Sequence, residues 1–163
     1  MIYTGIGSRK TPPHILKIMV KIGRILARKN YTLRSGGAEG ADSAFEQGCA
    51  LEKGKKEIFL PWKNFNKNNS NLYSPSNEAF VLAEKFHPAW SRCSNGAKLL
   101  HARNCHQILG LHLDLPTSFV VCWTTQSGGT QQALRIAKHY NIKIYNLIDK
   151  TQKDELWNFL RCL

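Results

Sequence analysis

Acidic residues are missing from the first 38 positions of the chain. The 163-residue sequence holds 23 Lys and Arg but only 11 Asp and Glu, so its formal net charge is +12. Glu39 is the first carboxylate, and eight basic side chains precede it. A surplus of this kind disfavours a cationic partner and predicts an anionic one.

Long apolar runs are also missing. None approaches the ~20 residues that a membrane-spanning helix needs, and the N-terminus lacks the charged leader, apolar core and cleavage site of a secretory signal. The five cysteines are widely spaced and include no CxxC pair, so we expect no disulfides. These absences predict a cytoplasmic protein with no membrane partner.

The overall composition, 42% hydrophobic and 21% charged, argues against intrinsic disorder. A chain of this length buries enough surface to be stable as one domain. Because no repeat, low-complexity tract or linker divides the sequence, residues 1–163 are predicted to form a single domain.

Closely paired metal-ligand spacings are absent as well. His101 and Cys105 would share one helix face, and His106 follows directly, so these three residues are the candidate ligands. Buried Cys and His are common on helices without a metal, and the usual spacing of zinc ligands is missing. We therefore predict no metal site and no cofactor.

Short β-rich segments alternate with helical segments, and each crossover is long enough for a parallel βαβ unit. This alternation predicts an α/β fold with a mostly parallel sheet flanked by helices. Thr11 and Thr151 are expected to cap the first and last helices, and Pro88 to separate the third from the fourth. The predicted strands are residues 1–5, 31–35, 57–60, 118–122 and 142–147. The predicted helices are residues 12–29, 43–51, 77–86, 95–109, 131–140 and 152–159, and residues 64–77 are predicted to be a surface loop.

The first predicted helix carries a basic stripe. Lys17, Lys21, Arg24 and Arg28 recur at helical spacing, while apolar residues occupy the opposite side. Such a stripe is more often a solvated outer face than a binding surface, but the lack of carboxylates one turn away favours an anionic contact. Both interpretations stay open.

Three glycine-bearing segments, residues 5–9, 36–42 and 127–130, follow predicted strands and precede predicted helices. In a parallel sheet these positions lie at the carboxyl ends of the strands, where ligands bind. Glycine permits close backbone approach, and the next helix offers free N–H groups and a positive dipole end, which suit a phosphate. The first segment lacks the third glycine of the dinucleotide fingerprint, and GxxxxGK[ST] occurs nowhere. Standard NAD(P) dehydrogenases and P-loop NTPases are therefore excluded.

The same segments resemble a known superfamily. Residues 7–9 (Gly-Ser-Arg), 35–42 (Ser-Gly-Gly-Ala-Glu-Gly-Ala-Asp), 102–104 (Ala-Arg-Asn) and 127–130 (Ser-Gly-Gly-Thr) are together similar to the SLOG superfamily. It unites DNA-processing protein A, the lonely-guy phosphoribohydrolases and small stand-alone nucleotide-binding proteins of bacteria and phages, and the chain looks most like the stand-alone group. The resemblance implies a Rossmann-like three-layer fold, a homo-oligomer and a nucleotide or nucleotide-derived ligand, in the host cytoplasm if a phage encodes the protein.

Several side chains are expected to contact that ligand. Arg9 and Arg103 offer paired donors to a phosphate, whereas Trp90 is suited to stack on a base and Arg92 to contact a phosphate. Asp42 is suited either to cap a helix or to bind a ribose hydroxyl. The expected ligand-binding residues are Gly7, Ser8, Arg9, Gly36, Gly37, Asp42, Trp90, Arg92, Arg103, Ser127, Gly128, Gly129 and Thr130.

Enzymatic activity is left open by one missing residue. Lonely-guy enzymes cleave a base–ribose bond with an Arg, which Arg103 matches, and a Glu, whose place is taken here by Ala133. A carboxylate would have to come from Glu39 or Asp42. The candidate catalytic residues are therefore Arg103, Glu39 and Asp42.

Three functions follow, in this order. The first is binding of a nucleotide or nucleotide-derived molecule for sensing, sequestration or turnover. The second is N-glycosidic hydrolysis or transfer on a nucleoside phosphate. The third is nucleic-acid binding like that of DNA-processing protein A through the basic stripe, which ranks last because the stripe lacks the interleaved aromatics of a single-strand platform.

Overall fold

The computed structural model describes residues 1–125 and 128–163, and the strands in these ranges form one parallel sheet. The strands are β1 (Ile2–Gly7), β2 (Thr32–Ser35), β3 (Lys56–Leu60), β4 (Leu72–Tyr73), β5 (Phe119–Trp123) and β6 (Lys143–Asn146). The helices in the same ranges are α1 (Pro13–Arg28), α2 (Ala41–Leu51), α3 (Asn77–Phe86), α4 (Asn95–Leu109), α5 (Thr130–His139) and α6 (Lys150–Arg161). The strand order is β4-β3-β2-β1-β5-β6, with each neighbouring pair parallel, so the predicted Rossmann-like α/β fold is confirmed.

Helices cover both faces of the sheet and create three layers. The side chains of β5 alternate between two buried cores. Phe119 and Val121 lie in the core with α1, α2 and α6, whereas Val120 and Cys122 lie in the core with α3, α4 and α5. The continuous apolar run of β5 is thus explained by burial on both faces. Over the two described ranges, none of these helices has the length and apolar character needed to span a membrane.

The strand order reverses beside β1. The chain moves outward from β1 through β2, β3 and β4, and then returns to place β5 and β6 on the other side. The carboxyl ends of β1 and β5 lie together, since Gly7 pairs with Trp123 and Ser8 N donates to Trp123 O at 3.0 Å. Open α/β sheets bind their ligands at a switch point of this kind.

Glycines allow α1, α2 and β1 to approach closely. A Cβ atom on Gly48 would lie 2.2 Å from Val20 O of α1. On the strand side, a Cβ atom on Gly5 would lie 2.6 Å from the Phe45 ring, and one on Gly7 would lie 2.7 Å from Ala41 Cβ. β1 extends two residues further than predicted, so both of its glycines serve the packing of α2 against the strand.

The basic stripe is exposed on α1, and its two arginines share one carboxylate. Glu52, directly after α2, accepts hydrogen bonds from Arg24 Nε at 2.7 Å and from Arg28 Nε at 2.9 Å. Hydrogen bonds from Arg28 and then from Arg24 lower the pKa of Glu52 to about 2. Within the described ranges, Lys17 and Lys21 have no carboxylate partner. The solvated interpretation therefore fits the arginines of the stripe better than the lysines.

The predicted caps of the first and last helices are wrong. Thr11 Oγ1 instead donates to Ser8 O at 2.6 Å, and α1 begins after Pro12 without a side-chain cap. Asp149 rather than Thr151 caps α6, because its side chain accepts a backbone N–H of the first turn. Thr11 consequently stabilises the loop after β1 and not the helix.

The segment between β3 and α3 is more ordered than the surface loop predicted for residues 64–77. It contains a 3-10 turn (Phe65–Lys67) and the edge strand β4, which pairs with β3. The bounds predicted for α3 and α4 are confirmed, since Ser76 and Ser94 each accept a backbone N–H of the first turn. Pro88 lies between these two helices as expected.

The contact between α1 and α2 predicts a large effect for Gly48→Ala. The added methyl would meet a backbone oxygen at 2.2 Å, so the helices must separate, and we expect the free energy of unfolding to fall by about 2–3 kcal/mol in urea denaturation. Gly96→Ala is the matched control, because no described atom lies within 4 Å of its new Cβ. The control should be neutral or stabilising by up to about 1 kcal/mol. Equal stabilities for the two variants would contradict this packing.

Candidate functional site

A cleft of about 600 Å³ opens at the carboxyl ends of β1 and β5. One side consists of the last residue of β1 with the loop that follows it (residues 7–10) and of the first turn of α2, where Asp42 lies. The other side consists of residues 128–130 at the start of α5, and α4 contributes side chains between the two sides. The cleft therefore lies at the switch point of the sheet.

Arg103 of α4 and Asp42 of α2 form a buried ion pair in the wall of the cleft. Arg103 Nη1 lies 3.4 Å from Asp42 Oδ2, and Ala38 N donates to the same oxygen at 3.4 Å. Burial raises the pKa of Asp42, while Arg103 and the backbone N–H groups of Ala38 and Gly7 act in the opposite direction. Burial also lowers the pKa of Arg103, against the effect of Asp42.

The guanidinium of Arg103 occupies a cradle that only glycine permits. A Cβ atom on Gly36 would lie 1.1 Å from Arg103 Nη1. With its amide oxygen facing this cradle, Gln107 accepts hydrogen bonds from Gly36 N at 2.9 Å and from Arg103 Nη1 at 3.1 Å. Within the described part of the chain, Nε of Arg103 has no hydrogen-bond partner. The space beside Gly36 is thus filled by the guanidinium of Arg103 and not by a ligand.

Gly36 and Gly37 are buried and do not line the cleft, contrary to the location expected for phosphate-binding residues. Gly37 adopts a φ of +63°, and Asn66 Nδ2 donates to its carbonyl at 3.0 Å. A Cβ atom there would also lie 2.8 Å from Leu60. The glycine motif after β2 is explained by internal packing and a strained turn.

The loop after β1 does line the cleft, through Gly7, Ser8, Arg9 and Lys10. Ser8 fixes the loop, because its hydroxyl accepts a hydrogen bond from Lys10 N at 3.0 Å. Arg9 is exposed, and its charge contributes to the lowered pKa of Arg103. A second guanidinium is therefore available beside the buried one, on the solvent side.

The start of α5 forms the opposite side. Gly128, Gly129 and Thr130 line the cleft, and no side chain of the described residues caps this helix. Asn104 Nδ2 donates to Gly129 O at 3.2 Å and so ties the segment to α4. The positive end of the α5 dipole faces the cleft, an arrangement that attracts anions. Ser127, also expected at the site, lies outside the described residues.

Three further candidates lie away from the cleft lining. Glu39 is exposed, and Arg92 is exposed on a 3-10 turn (Trp90–Arg92). Trp90 packs beside His87, with Lys98 Nζ 5.5 Å from its ring centre. Asp42 is consequently the carboxylate that the cleft offers among the described residues.

Several residues that line the cleft, Trp123 among them, were not expected at the site from the sequence. Trp123 lines it at the end of β5, and only the position directly after the buried apolar run could have signalled this. Ala133 also lines it, so a methyl group stands where the resemblance would place a catalytic Glu. His101 lines the cleft too, and burial and then the neighbouring His87 lower its pKa to about 4.

The candidate metal ligands chosen from the sequence do not converge. Cys105 Sγ donates to Ala79 O at 3.5 Å in the core. His106 turns to the other side of α4, where Nδ1 bonds to Gly110 O and the ring stacks on Phe59. His101, Cys105 and His106 therefore do not form a metal site together.

Comparison with known proteins gives a fold but no family. No family model matches the chain, and no curated protein matches it. A solved structure of DNA processing protein A from Helicobacter pylori is similar, with a TM-score of 0.61 and 19% identity over 96% of this chain and 71% of that chain. That protein is described for its single-stranded DNA binding mode. The likeness shows a fold like that of DNA processing protein A.

The buried ion pair predicts that Arg103→Met lowers the free energy of unfolding by about 3 kcal/mol, because the buried Asp42 carboxyl loses its partner. Adding Asp42→Asn to this variant should recover most of the loss. Arg92→Met, at an exposed site, should change stability by less than ~0.5 kcal/mol. Urea denaturation measures all three. A single Arg103→Met variant as stable as the control would show that the pair is not desolvated.

Proposed function

We propose that the chain binds a nucleotide or nucleotide-derived molecule in the cleft, as a protein of the stand-alone SLOG type. The observation that carries the proposal is the position of the cleft, between two helix N-termini at the switch point of the sheet and beside buried Arg103. Its volume of about 600 Å³ suits a small ligand of this size.

The charged groups of the cleft fall into two sets, which suit different parts of a nucleotide. Asp42 already compensates Arg103, so the additional positive charge of the cleft comes from Arg9, Lys10 and the start of α5. These groups would hold a phosphate, since guanidinium and backbone N–H donors suit its oxygens. Asp42 is then placed to accept from a ribose hydroxyl or a base N–H.

A base would find an apolar wall. Trp123, Leu100 and Ala97 line the cleft together with His101, which is neutral at pH 7 because its pKa is lowered to about 4. A neutral imidazole and an indole both suit the flat face of a base. The cleft thus pairs an anion-binding side with an aromatic one.

Calorimetric titration with mononucleotides, ADP-ribose-type compounds and cyclic nucleotides tests the proposal. Arg9→Met should weaken binding roughly tenfold, the value expected when one charge-assisted hydrogen bond is lost. Arg92→Met removes the same charge outside the cleft and should leave the affinity unchanged. Absence of binding by every phosphorylated nucleoside would reject the proposal.

Chromatography of the titrated samples separates binding from turnover. Release of a free base would support N-glycosidic cleavage, with Asp42 as the carboxylate and Arg103 as its partner. Intact ligand in every sample would leave sensing or sequestration as the role. Ala133 favours the second outcome, because a methyl group cannot activate water.

Single-stranded DNA is the second candidate ligand, favoured by the likeness to a DNA-binding protein of the same fold. We expect the affinity for an oligodeoxythymidine, measured by fluorescence anisotropy, to fall with salt by a log–log slope of about −0.7 per phosphate contacted. Loss of binding in Arg9→Met would place DNA in the cleft. Loss in the double variant Lys17→Ala and Lys21→Ala would place it on the half of the basic stripe that has no carboxylate partner among the described residues. No binding at low salt rejects this candidate.

A further inference from the structure

Three metal-binding side chains form a second cluster, which lies between the end of α3 and the first half of α4. His87 directly follows α3, Cys93 follows the 3-10 turn Trp90–Arg92, and His101 lies within α4. One ligand atom from each residue lies within 4.8 Å of the other two. The bend imposed around Pro88 brings together residues that are six and eight positions apart in the sequence.

The internal geometry of this cluster suits a metal ion. Cys93 Sγ lies 3.7 Å from Nδ1 and 3.8 Å from Nε2 of His87, and the rings of His87 and His101 have centres 4.3 Å apart. A tetrahedral zinc ion with ordinary bond lengths holds a sulfur and a nitrogen ligand roughly 3.5 Å apart. Small side-chain rotations would therefore bring the three ligand atoms into place.

Each of the two rings offers a nitrogen atom that can bind a metal ion. Nδ1 of His101 is buried and has no hydrogen-bond partner among the described residues, which is costly for a polar atom. Nδ1 of His87 accepts from Ala89 N at 3.2 Å, so it carries a lone pair, and a metal ion would replace this bond. Burial lowers the pKa of both rings and so favours the neutral imidazole, the form that binds metals.

We propose that His87, Cys93 and His101 bind one zinc ion, with the fourth coordination position open to water or another small donor. A set of one thiolate and two imidazoles is typical of zinc, because borderline-soft nitrogen and sulfur ligands disfavour magnesium and calcium. Binding requires the thiolate, so the Cys93 thiol releases its proton to the buffer as the metal enters. The proposal rests on the geometry of these three residues and requires no nucleotide in the cleft, although His101 lines the cleft as well.

Zinc titration of the full chain, followed by calorimetry and by elemental analysis after desalting, tests the site. We expect one zinc ion per chain for the wild type and at least hundredfold weaker binding for Cys93→Ser. Cys162→Ser is the matched control, because Cys162 is an exposed thiol near the C-terminus and its loss should change nothing. Substitution with cobalt should give a thiolate charge-transfer band in the wild type and in the control that is missing in Cys93→Ser.

A second variant guards against misfolding. If Cys93→Ser is unfolded by circular dichroism, His87→Gln takes its place and should show the same loss of zinc while keeping the exposed and buried cysteines. Failure of the wild type to bind zinc at micromolar concentration overturns the proposal. Binding that survives in both variants, or that disappears in Cys162→Ser, overturns it equally. None of these results decides whether the chain binds a nucleotide, which the separate nucleotide titration measures.

Discussion

The contact between the Arg103 guanidinium and the Asp42 carboxylate determines how the cleft is assembled. Arg103 comes from α4, Asp42 from the first turn of α2, and the cradle at Gly36 from the turn after β2. These elements belong to both outer layers of the fold, so one ion pair joins the layers across the end of the sheet. The two charges stabilise each other, because both side chains are almost completely shielded from solvent.

This ion pair also shows that part of the protein's surplus positive charge is not available to a partner. Burial and pairing remove Arg103 from the set of free charges, and Glu52 offsets one of the two positive charges of Arg24 and Arg28 on the outer face of α1. The remaining positive charge near the cleft is carried by exposed side chains of the loop after β1. Net charge by itself therefore indicated an anionic partner but not the surface that would meet it.

The sequence predicted the fold well where the signals were local. Ser76 and Ser94 cap their helices within one turn, and both helices have the predicted bounds. Prediction of the site was weaker, because Gly36 is required by an arginine 67 positions away, and no short-range pattern reveals such a contact. Trp90 was chosen for its chemistry, whereas Trp123 lines the cleft because a strand ends there. A role that depends on a residue far away in the sequence cannot be predicted from the residues next to it.

His101 belongs to two surfaces at once, since it lines the cleft and its ring lies against His87. One imidazole has a single orientation at any moment, so whatever fixes the ring from one surface also fixes it for the other. The cleft and the cluster around His87 are therefore both affected by the side-chain conformation of His101. Linkage between them would be reciprocal, with equal effect in both directions.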